Sequence, residues 1–189
     1  MTAIPELAAT LLALAYVVLA IQENRLCFIA GFISAALYLW IFWQVQLYME
    51  SALQIFYALI SLYGWWHWGG SNTPTLPISR WSIQRHAAAL LCIAAGTIAS
   101  GWLLATHTDA AMPYVDSFTT ISAVITTWMV AQKLLENWLY WVVIDVVSAL
   151  MYVERGLWLT SALFAMYTVL AVTGYLAWRR HYRSQPPTQ

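Results

Sequence analysis

The chain has 189 residues, of which 62% are hydrophobic and only 8% are charged. A soluble domain carries charge on roughly a quarter of its residues, so this composition excludes the soluble class and indicates an integral membrane protein. Eight basic and eight acidic residues cancel, which leaves no field to attract nucleic acid. The two cysteines, Cys27 and Cys92, fall in apolar segments. We therefore expect neither a disulfide nor a thiol centre, and no metal or cofactor.

Apolar stretches of about 18 to 22 residues, the length that a bilayer core requires of a helix, follow one another along the chain. The first has no basic flank and no cleavage site, so we expect a retained helix rather than a signal peptide. The connections are short, except for GSNTPTLPISRWSIQRH between the third and fourth stretches, and the tail RRHYRSQPPTQ is polar. The predicted spans are 4–22, 26–44, 51–69, 87–107, 113–132, 137–153 and 157–178.

The distribution of Lys and Arg predicts the direction of these spans. Seven of the eight basic residues fall on one side of the layout, and only Arg155 falls on the other. We therefore expect the N-terminus outside and the C-terminus in the cytoplasm, and the clean split supports an odd number of spans. The residues on the cytoplasmic side are Arg25, Arg80, Arg85, Lys133, Arg179, Arg180 and Arg183.

The sequence contains an internal duplication. ENRLCFIAGFISAAL, from Glu23, aligns with ENWLYWVVIDVVSAL, from Glu136, and LYMESALQIFYALISLYGWWHW aligns without gaps with LWLTSALFAMYTVLAVTGYLAW. Spans 2 and 3 thus correspond to spans 6 and 7, which predicts an all-α membrane fold of seven helices in a three-one-three arrangement of parallel repeats. Such repeats are a transporter design, with the substrate near mid-membrane between the halves. The predicted parts are a first repeat over 1–69, a loop and connector helix over 70–112, a second repeat over 113–178 and a cytoplasmic tail over 179–189.

Span 6 contains an acid at half depth. Asp145 lies about 12 Å above Asn137 at roughly 1.5 Å per residue, and insertion scales assign a cost of about 2.5 to 3.5 kcal/mol to an acid near the bilayer midplane. The acid shares one helix face with other polar and aromatic residues, and we expect that face to be turned away from lipid. The face consists of Asn137, Trp141, Asp145, Ser148 and Tyr152.

Two other spans carry stripes of polar or aromatic residues. Together with the span 6 face they predict a pocket with a carboxylate, hydroxyl and amide groups, and aromatic walls. That chemistry suits a small cation carrying an aromatic ring. The stripe on span 3 consists of Gln54, Tyr57, Ser61, Gly64, Trp65 and Trp68, and the stripe on span 5 of Asp116, Thr119, Ser122 and Thr126.

Several of these residues also have a purely structural interpretation. Trp65 stands in a tryptophan cluster at the inner end of span 3, where an interfacial belt is the commoner role. Tyr57 and Tyr167 recur in the two halves and serve either the pocket or helix packing. Asp145 has the alternative of a structural hydrogen bond to hydroxyls of another helix. Most Ser and Thr residues of spans 5 and 7 are expected to pack or to bond their own backbone.

The motifs of enzymes are missing from the sequence. The four histidines are scattered, and there is no zinc-binding His pair, phosphate-cradling glycine loop or Gly-x-Ser-x-Gly. We therefore predict that the chain is not an enzyme. Because nucleotide-binding and ion-coupling signatures are also missing, the sequence favours a facilitator that moves its substrate down a gradient.

Three segments together resemble the Pnu family of bacterial vitamin transporters: IFWQVQLYMESALQIFYALISLYGWWHW, VDSFTTISAVITTWMVAQK and ENWLYWVVIDVVSALMYVERGLWLTSALF. The resemblance covers about residues 20–178. It implies a seven-helix fold similar to that of the SWEET proteins and facilitated uptake across the bacterial cytoplasmic (inner) membrane. It further implies a soluble kinase that phosphorylates the vitamin inside the cell, and a homo-oligomer.

The resemblance also implies a substrate and its ligands. Nicotinamide riboside is expected because it is the commonest substrate in the family. Thiamine is almost equally expected as the substrate, because Asp145 stands where nicotinamide riboside carriers can have Asn. A non-transporting membrane component, with aromatic residues for protein contacts, is the alternative from another class. The residues that match the family segments are Gln54, Tyr57, Trp65, Asn137, Trp138 and Trp141. The polar and aromatic patterns add Ser61, Asp145, Ser148 and Tyr167 to the expected substrate-binding residues.

Overall fold

The computed structural model describes residues 3–44, 46, 48–69 and 76–185. Within these residues the chain forms seven α-helices and one isolated β-bridge, between Ser79 and Leu134. The all-helical prediction is therefore confirmed. The helices are α1 Ala3–Ile21, α2 Leu26–Gln44, α3 Tyr48–His67, α4 Ile83–His107, α5 Pro113–Ala131, α6 Asn137–Glu154 and α7 Trp158–Ser184.

Helix boundaries agree with the predicted spans to within four residues, except at the end of α7. This helix continues to Ser184, so the first six residues of the predicted tail are helical. The physical reason is local: Arg, His and Tyr have ordinary helix propensity, and the first helix-breaking residue after Trp178 is Pro186.

The helices differ in how apolar they are. Four of those in the described residues, α1, α2, α4 and α7, are long and apolar enough on their own to cross a membrane. The other three, α3, α5 and α6, are 20, 19 and 18 residues long and are the helices that carry the predicted polar stripes. Polar residues in membrane helices face protein or a water-filled cavity rather than lipid. The lower hydropathy of these three helices therefore fits an interior role.

The chain divides into two compact units. The first contains α1, α2 and α3 together with residues 130–133 at the end of α5, and in it α2 packs against both α1 and α3. The second contains residues 78–129 and 134–182. Helix α4, which the sequence placed in a separate connector, belongs to the same unit as most of the second repeat.

In the first unit, α2 and α3 meet at a glycine covered by an aromatic ring. A Cβ added at Gly64 would lie 2.2 Å from the ring of Phe28, so only glycine fits there. The Phe28 ring also packs edge-to-face on Trp68, with centroids 4.9 Å apart. The indole N–H of Trp68 lies 3.2 Å from the carbonyl oxygens of both Val130 and Ala131. These bonds satisfy acceptors at the C-terminal end of α5, which have no partner within the helix.

The second unit repeats this packing between α6 and α7. A Cβ at Gly174 would lie 2.7 Å from the ring of Trp138, and Trp138 packs edge-to-face on Trp178 with centroids 5.4 Å apart. Residues 138, 174 and 178 each lie 110 positions after residues 28, 64 and 68. The sequence alignment of span 2 with span 6, which pairs Glu23 with Glu136, is therefore displaced by three residues from the structural equivalence. That alignment matched the Glu-Asn pair that begins both segments instead of the residues that pack at equivalent positions.

The ends of α1 and α5 are also equivalent. Glu23 and Lys133 lie 110 positions apart, and both adopt the left-handed conformation that favours glycine, with φ of 56° and 54°. In each case the residue's N–H and the next N–H bond back to carbonyls of the last turn, which closes the helix with a Schellman motif. Within the first unit the two side chains form an ion pair, with Lys133 Nζ 2.8 Å from Glu23 Oε2, and both are largely buried. The pair fixes the loop at the end of α5 to the end of α1.

Candidate functional site

The polar face of α6 points into the protein. Asn137, Asp145 and Ser148 are 0%, 5% and 3% exposed, while Trp141 and Tyr152 are half-buried. The burial of these three residues supports the prediction that this face turns away from lipid. Its spacing of three and four residues keeps the side chains on one side of the helix, where they form the polar part of the second unit's interior.

Asp145 is a buried acid without a cation beside it. None of the ion pairs among the described residues involves Asp145. These residues also form no hydrogen bond to its carboxyl group. A buried charge is normally paired or bound to a ligand, because leaving water costs several kcal/mol per ion. The carboxyl group is therefore suited to accept a cation that comes from outside the chain.

Unpartnered buried polar atoms are concentrated in the second unit. Among the described residues, every buried side-chain oxygen or nitrogen without a hydrogen-bond partner lies between residues 97 and 138. Such groups are rare in proteins, and each one needs an explanation such as a ligand or an ordered water. The atoms are Thr97 Oγ1, Ser117 Oγ, Ser122 Oγ, Thr126 Oγ1, Glu136 Oε2, Asn137 Oδ1 and Trp138 Nε1.

Asn137 and Thr126 stand out in this group because neither side chain is exposed at all. Asn137 donates from Nδ2 to the carbonyl oxygen of Leu134 at 2.6 Å, which fixes the amide and leaves Oδ1 as an available acceptor. The sequence placed Thr126 in the span 5 stripe but favoured packing for the Ser and Thr residues there. The sequence does not show whether a threonine hydroxyl has a hydrogen-bond partner. A threonine that bonds to its own helix backbone and one without a partner have the same sequence pattern.

The predicted residues of α3 are held by their own neighbours in the first unit. The Ser61 hydroxyl donates to the carbonyl oxygen of Tyr57 at 2.7 Å and lies 3.1 Å from where a Cβ on Gly31 would be, so it packs at the crossing with α2. The Arg25 guanidinium lies 4.2 Å from the centre of the Trp65 ring, a cation–π contact at the end of the helix. Gln54 and Tyr57 are half-buried. These surroundings support packing for Ser61 and Trp65, and a role in binding stays a prediction.

Two predicted aromatic residues of the second unit also have packing contacts. Trp138 fills the space over Gly174 and contacts Trp178. Tyr167 is half-buried and packs edge-to-face on Phe164 of the same helix, with ring centroids 6.0 Å apart. Within the second unit, the predicted residues that share a common inward surface are thus Asn137, Trp141, Asp145 and Ser148.

Known proteins match nearly the whole chain. The family model described as nicotinamide mononucleotide transporter matches residues 3–180. The nicotinamide riboside transporter PnuC of Escherichia coli (strain K12) is 26% identical over 201 residues, covering 92% of this chain and 84% of that protein. The protein of the same name from Shigella flexneri has the same identity and coverage. The crystal structure of the vitamin B3 transporter PnuC matches the fold with a TM-score of 0.73, covering 96% of this chain and 83% of that chain at 18% identity.

The apolar helices and the matching fold define a multi-pass helical membrane protein, and the family model identifies it as a transporter. Within that class, the chain belongs to the nicotinamide mononucleotide transporter family, whose model runs from the start of α1 into the last turns of α7. The resemblance to the Pnu family is therefore confirmed. Membership in a family of transporters also confirms the prediction that the chain is not an enzyme.

Proposed function

We propose that this protein takes up nicotinamide riboside across the bacterial inner membrane by facilitated diffusion. Family membership supports transport as the activity, and the curated relatives are named as transporters of this compound. The substrate is a cation, since its pyridinium ring carries a fixed positive charge. It also has ribose hydroxyls and a carboxamide that need hydrogen-bond partners.

The observation that carries this proposal is the unpaired, buried carboxyl group of Asp145 on the inward face of α6. In the proposed site, Asp145 pairs with the pyridinium charge. Asn137 accepts a hydrogen bond through the Oδ1 atom that has no partner among the described residues. The half-buried ring of Trp141 provides a flat surface for stacking, and Ser148 and Thr126 supply hydroxyl groups. The other predicted binding residues, Gln54, Tyr57, Ser61, Trp65, Trp138 and Tyr167, remain part of this proposal with the packing contacts given above.

We further propose a three-one-three arrangement of parallel repeats, with the N-terminus outside and the C-terminus in the cytoplasm. The recurrence of equivalent packing at a spacing of 110 residues supports two copies of one three-helix module. Because a passive carrier cannot concentrate its substrate, we also propose that a soluble cytoplasmic kinase traps the vitamin by phosphorylation. A homo-oligomeric assembly completes the proposal, as the family resemblance implies.

Counterflow in proteoliposomes tests the substrate. Purified protein is reconstituted, the vesicles are loaded with unlabelled nicotinamide riboside, and the entry of labelled compound is followed. We expect rapid entry for the native chain without an imposed ion gradient. An Asp145→Asn variant should lose about ten- to hundredfold in affinity, the value of a hydrogen bond to a charged group. Asp109→Asn, the same change at an exposed position, is the matched control and should behave like the native chain.

Thiamine is the second candidate, because it too is a cationic heteroaromatic compound that a buried carboxylate would attract. The same vesicles loaded with thiamine separate the two substrates. Counterflow of thiamine without counterflow of nicotinamide riboside would transfer the proposal to thiamine. If neither compound exchanges, the proposed function is wrong. Unchanged affinity combined with lower thermal stability of Asp145→Asn would show that the acid is structural.

A further inference from the structure

An open groove of about 400 Å³ runs along α4, α5 and α6 in the second unit. Apolar side chains form most of its walls, including Leu90, Phe118, Leu139 and Val143. Leu90, Leu139 and Val143 are 56%, 44% and 54% exposed. Since these helices belong to a membrane-spanning protein, the medium that meets such a surface is lipid hydrocarbon. The volume falls in the range of about 300 to 1,000 Å³ that is usual for small-molecule sites.

One end of the groove is polar. There His86 Nδ1 and the Tyr140 hydroxyl lie 3.0 Å apart, with their rings nearly parallel. Glu136 also lines this end, and Arg80 donates from Nε to Glu136 Oε1 at 2.6 Å. That hydrogen bond raises the pKa of the Arg80 guanidinium, so the arginine stays charged. The Arg80 side chain is 56% exposed, which leaves its other N–H groups accessible.

Two buried polar atoms of the groove lining are left without partners in the described part of the chain. Glu136 is 6% exposed, and its Oε2 accepts no hydrogen bond from described residues. Ser122 is 2% exposed, and its hydroxyl is likewise unpartnered. Both residues line the groove. The site therefore offers an anionic acceptor at its polar end and a hydroxyl group among its apolar walls.

On α6, the groove and the proposed transport site occupy different faces of the helix. The groove is lined by Glu136, just before α6, and on α6 by residues 139, 140, 143 and 144, whereas the inward polar face carries Asn137, Asp145 and Ser148. At about 100° per residue, the centres of these two faces lie roughly 130° apart around the helix. A ligand in the groove therefore contacts a face of α6 that the transported vitamin does not need.

We propose that this groove is a binding site for a phospholipid with a primary ammonium head group, of the phosphatidylethanolamine class. The ammonium N–H groups donate to Glu136 Oε2, and the phosphate accepts from the exposed N–H groups of Arg80. An acyl chain lies along Leu90, Leu139 and Val143, and an ester carbonyl accepts from Ser122. The ion pair of the zwitterionic lipid thus matches the ion pair of the protein, with opposite charges facing each other.

Head-group chemistry makes this assignment selective. A choline ammonium has three methyl groups and no N–H, so it cannot bond Glu136 Oε2. A glycerol head group has no cation at all, and its lipid would bring a net negative charge to a neutral ion pair. Helices α4 and α6 both begin near the polar end, at Ile83 and Asn137. Helix N-termini favour a phosphate group because the helix dipole is positive there.

Native mass spectrometry of the purified, delipidated protein tests the site. The protein is titrated with phosphatidylethanolamine, phosphatidylcholine and phosphatidylglycerol of the same acyl composition. We expect one high-affinity site for phosphatidylethanolamine, about ten- to hundredfold tighter than for phosphatidylcholine. Glu136→Gln should reduce this discrimination to about threefold or less, because it removes the anionic acceptor.

Two valines of α6 provide a matched pair of variants. Val143→Trp fills the groove and should abolish tight binding, whereas Val146→Trp adds the same ring at a position that is 41% exposed and outside the groove, and should not. Equal affinity for the ethanolamine and choline lipids would overturn the proposal. So would unchanged binding to Val143→Trp, or a change in oligomer mass with unchanged lipid binding, which would assign the groove to a second copy. Displacement of the lipid by nicotinamide riboside would overturn it as well, since the groove would then be part of the transport path.

Discussion

Two adjacent threonines of α5 show what distinguishes a packing hydroxyl from one that awaits a ligand. Thr127 donates from Oγ1 to the carbonyl oxygen of Ala123 at 2.7 Å, a bond within its own helix. Thr126 is 0% exposed, and its hydroxyl has no partner in the described residues. A buried hydroxyl without a partner costs about 1 to 3 kcal/mol. A polar substrate that forms a hydrogen bond with this hydroxyl would remove the cost.

Replacing Thr126 by valine should therefore have opposite effects on stability and on binding. The change keeps the shape of the side chain and removes the unpartnered hydroxyl, so we expect the unliganded protein to gain about 1 kcal/mol of stability. Affinity for nicotinamide riboside should fall about threefold to tenfold, the value of one neutral hydrogen bond. Thermal unfolding in detergent measures the first effect and ligand titration the second.

Thr127→Val is the control for this prediction. It removes a hydroxyl that already has a partner, so we expect little change in affinity. If the Thr126 and Thr127 variants bind the vitamin equally well, the Thr126 hydroxyl does not contact the substrate. A loss of stability in Thr126→Val would show that this hydroxyl has a structural partner.

At the scale of helices, the close contact of glycine with an aromatic ring determines how neighbouring helices pack. Gly64 accommodates Phe28 in the first unit, and Gly174 accommodates Trp138 in the second. A tryptophan four residues after each glycine, Trp68 or Trp178, packs edge-to-face on the same ring. Because only glycine leaves room for the ring, the two positions fix the spacing of α2 from α3 and of α6 from α7.

We expect Gly174→Ala to destabilise the protein by about 1 to 3 kcal/mol, the usual cost of overpacking a well-packed contact. The added Cβ would lie 2.7 Å from three atoms of a buried indole that cannot move easily. Gly64→Ala should have a similar effect through Phe28. The control is Gly96→Ala, whose Cβ would lie 3.2 Å from the flexible Ile121 side chain. Thermal unfolding of the three variants checks the prediction, and equal stability of Gly174→Ala and Gly96→Ala would contradict it.

The sequence was informative about the helices and less so about their contacts. Long apolar runs bounded by polar turns predict membrane helices well, because the bilayer sets their length, and α2 has the predicted bounds. The pairing of α2 with α6 was displaced by three residues, because the equivalence depends on which ring covers which glycine. The sequence also could not predict that the Thr126 hydroxyl has no partner among the described residues. Periodicity predicts the helix face on which a residue lies, but not the hydrogen-bond partners of its atoms.

At the scale of the whole molecule, the 110-residue repeat and the distribution of charge both bear on the direction in which each helix crosses the membrane. In the proposed arrangement, the helices of the first repeat, α1 to α3, correspond to α5 to α7, and α4 stands between them in the sequence. If each helix crosses the membrane once, equivalent helices are four crossings apart, and this even number gives them the same direction. The basic residues then fall on the cytoplasmic side, apart from Arg155, which forms an ion pair with Asp116 at 3.0 Å.

Single cysteines introduced into a cysteine-free background test this topology in intact cells. We expect Thr108→Cys, after α4, and Glu154→Cys, at the end of α6, to react with a membrane-impermeant maleimide, because both positions are exposed and should lie outside. Ser82→Cys and Ser184→Cys are also exposed and should react only after the membrane is permeabilised. The positive-inside rule is the physical reason, since basic loops are retained in the cytoplasm. Labelling of Ser184→Cys in intact cells would reverse the orientation, and labelling of Thr108→Cys and Ser82→Cys on the same side would show that α4 does not cross, which removes the parallel repeat.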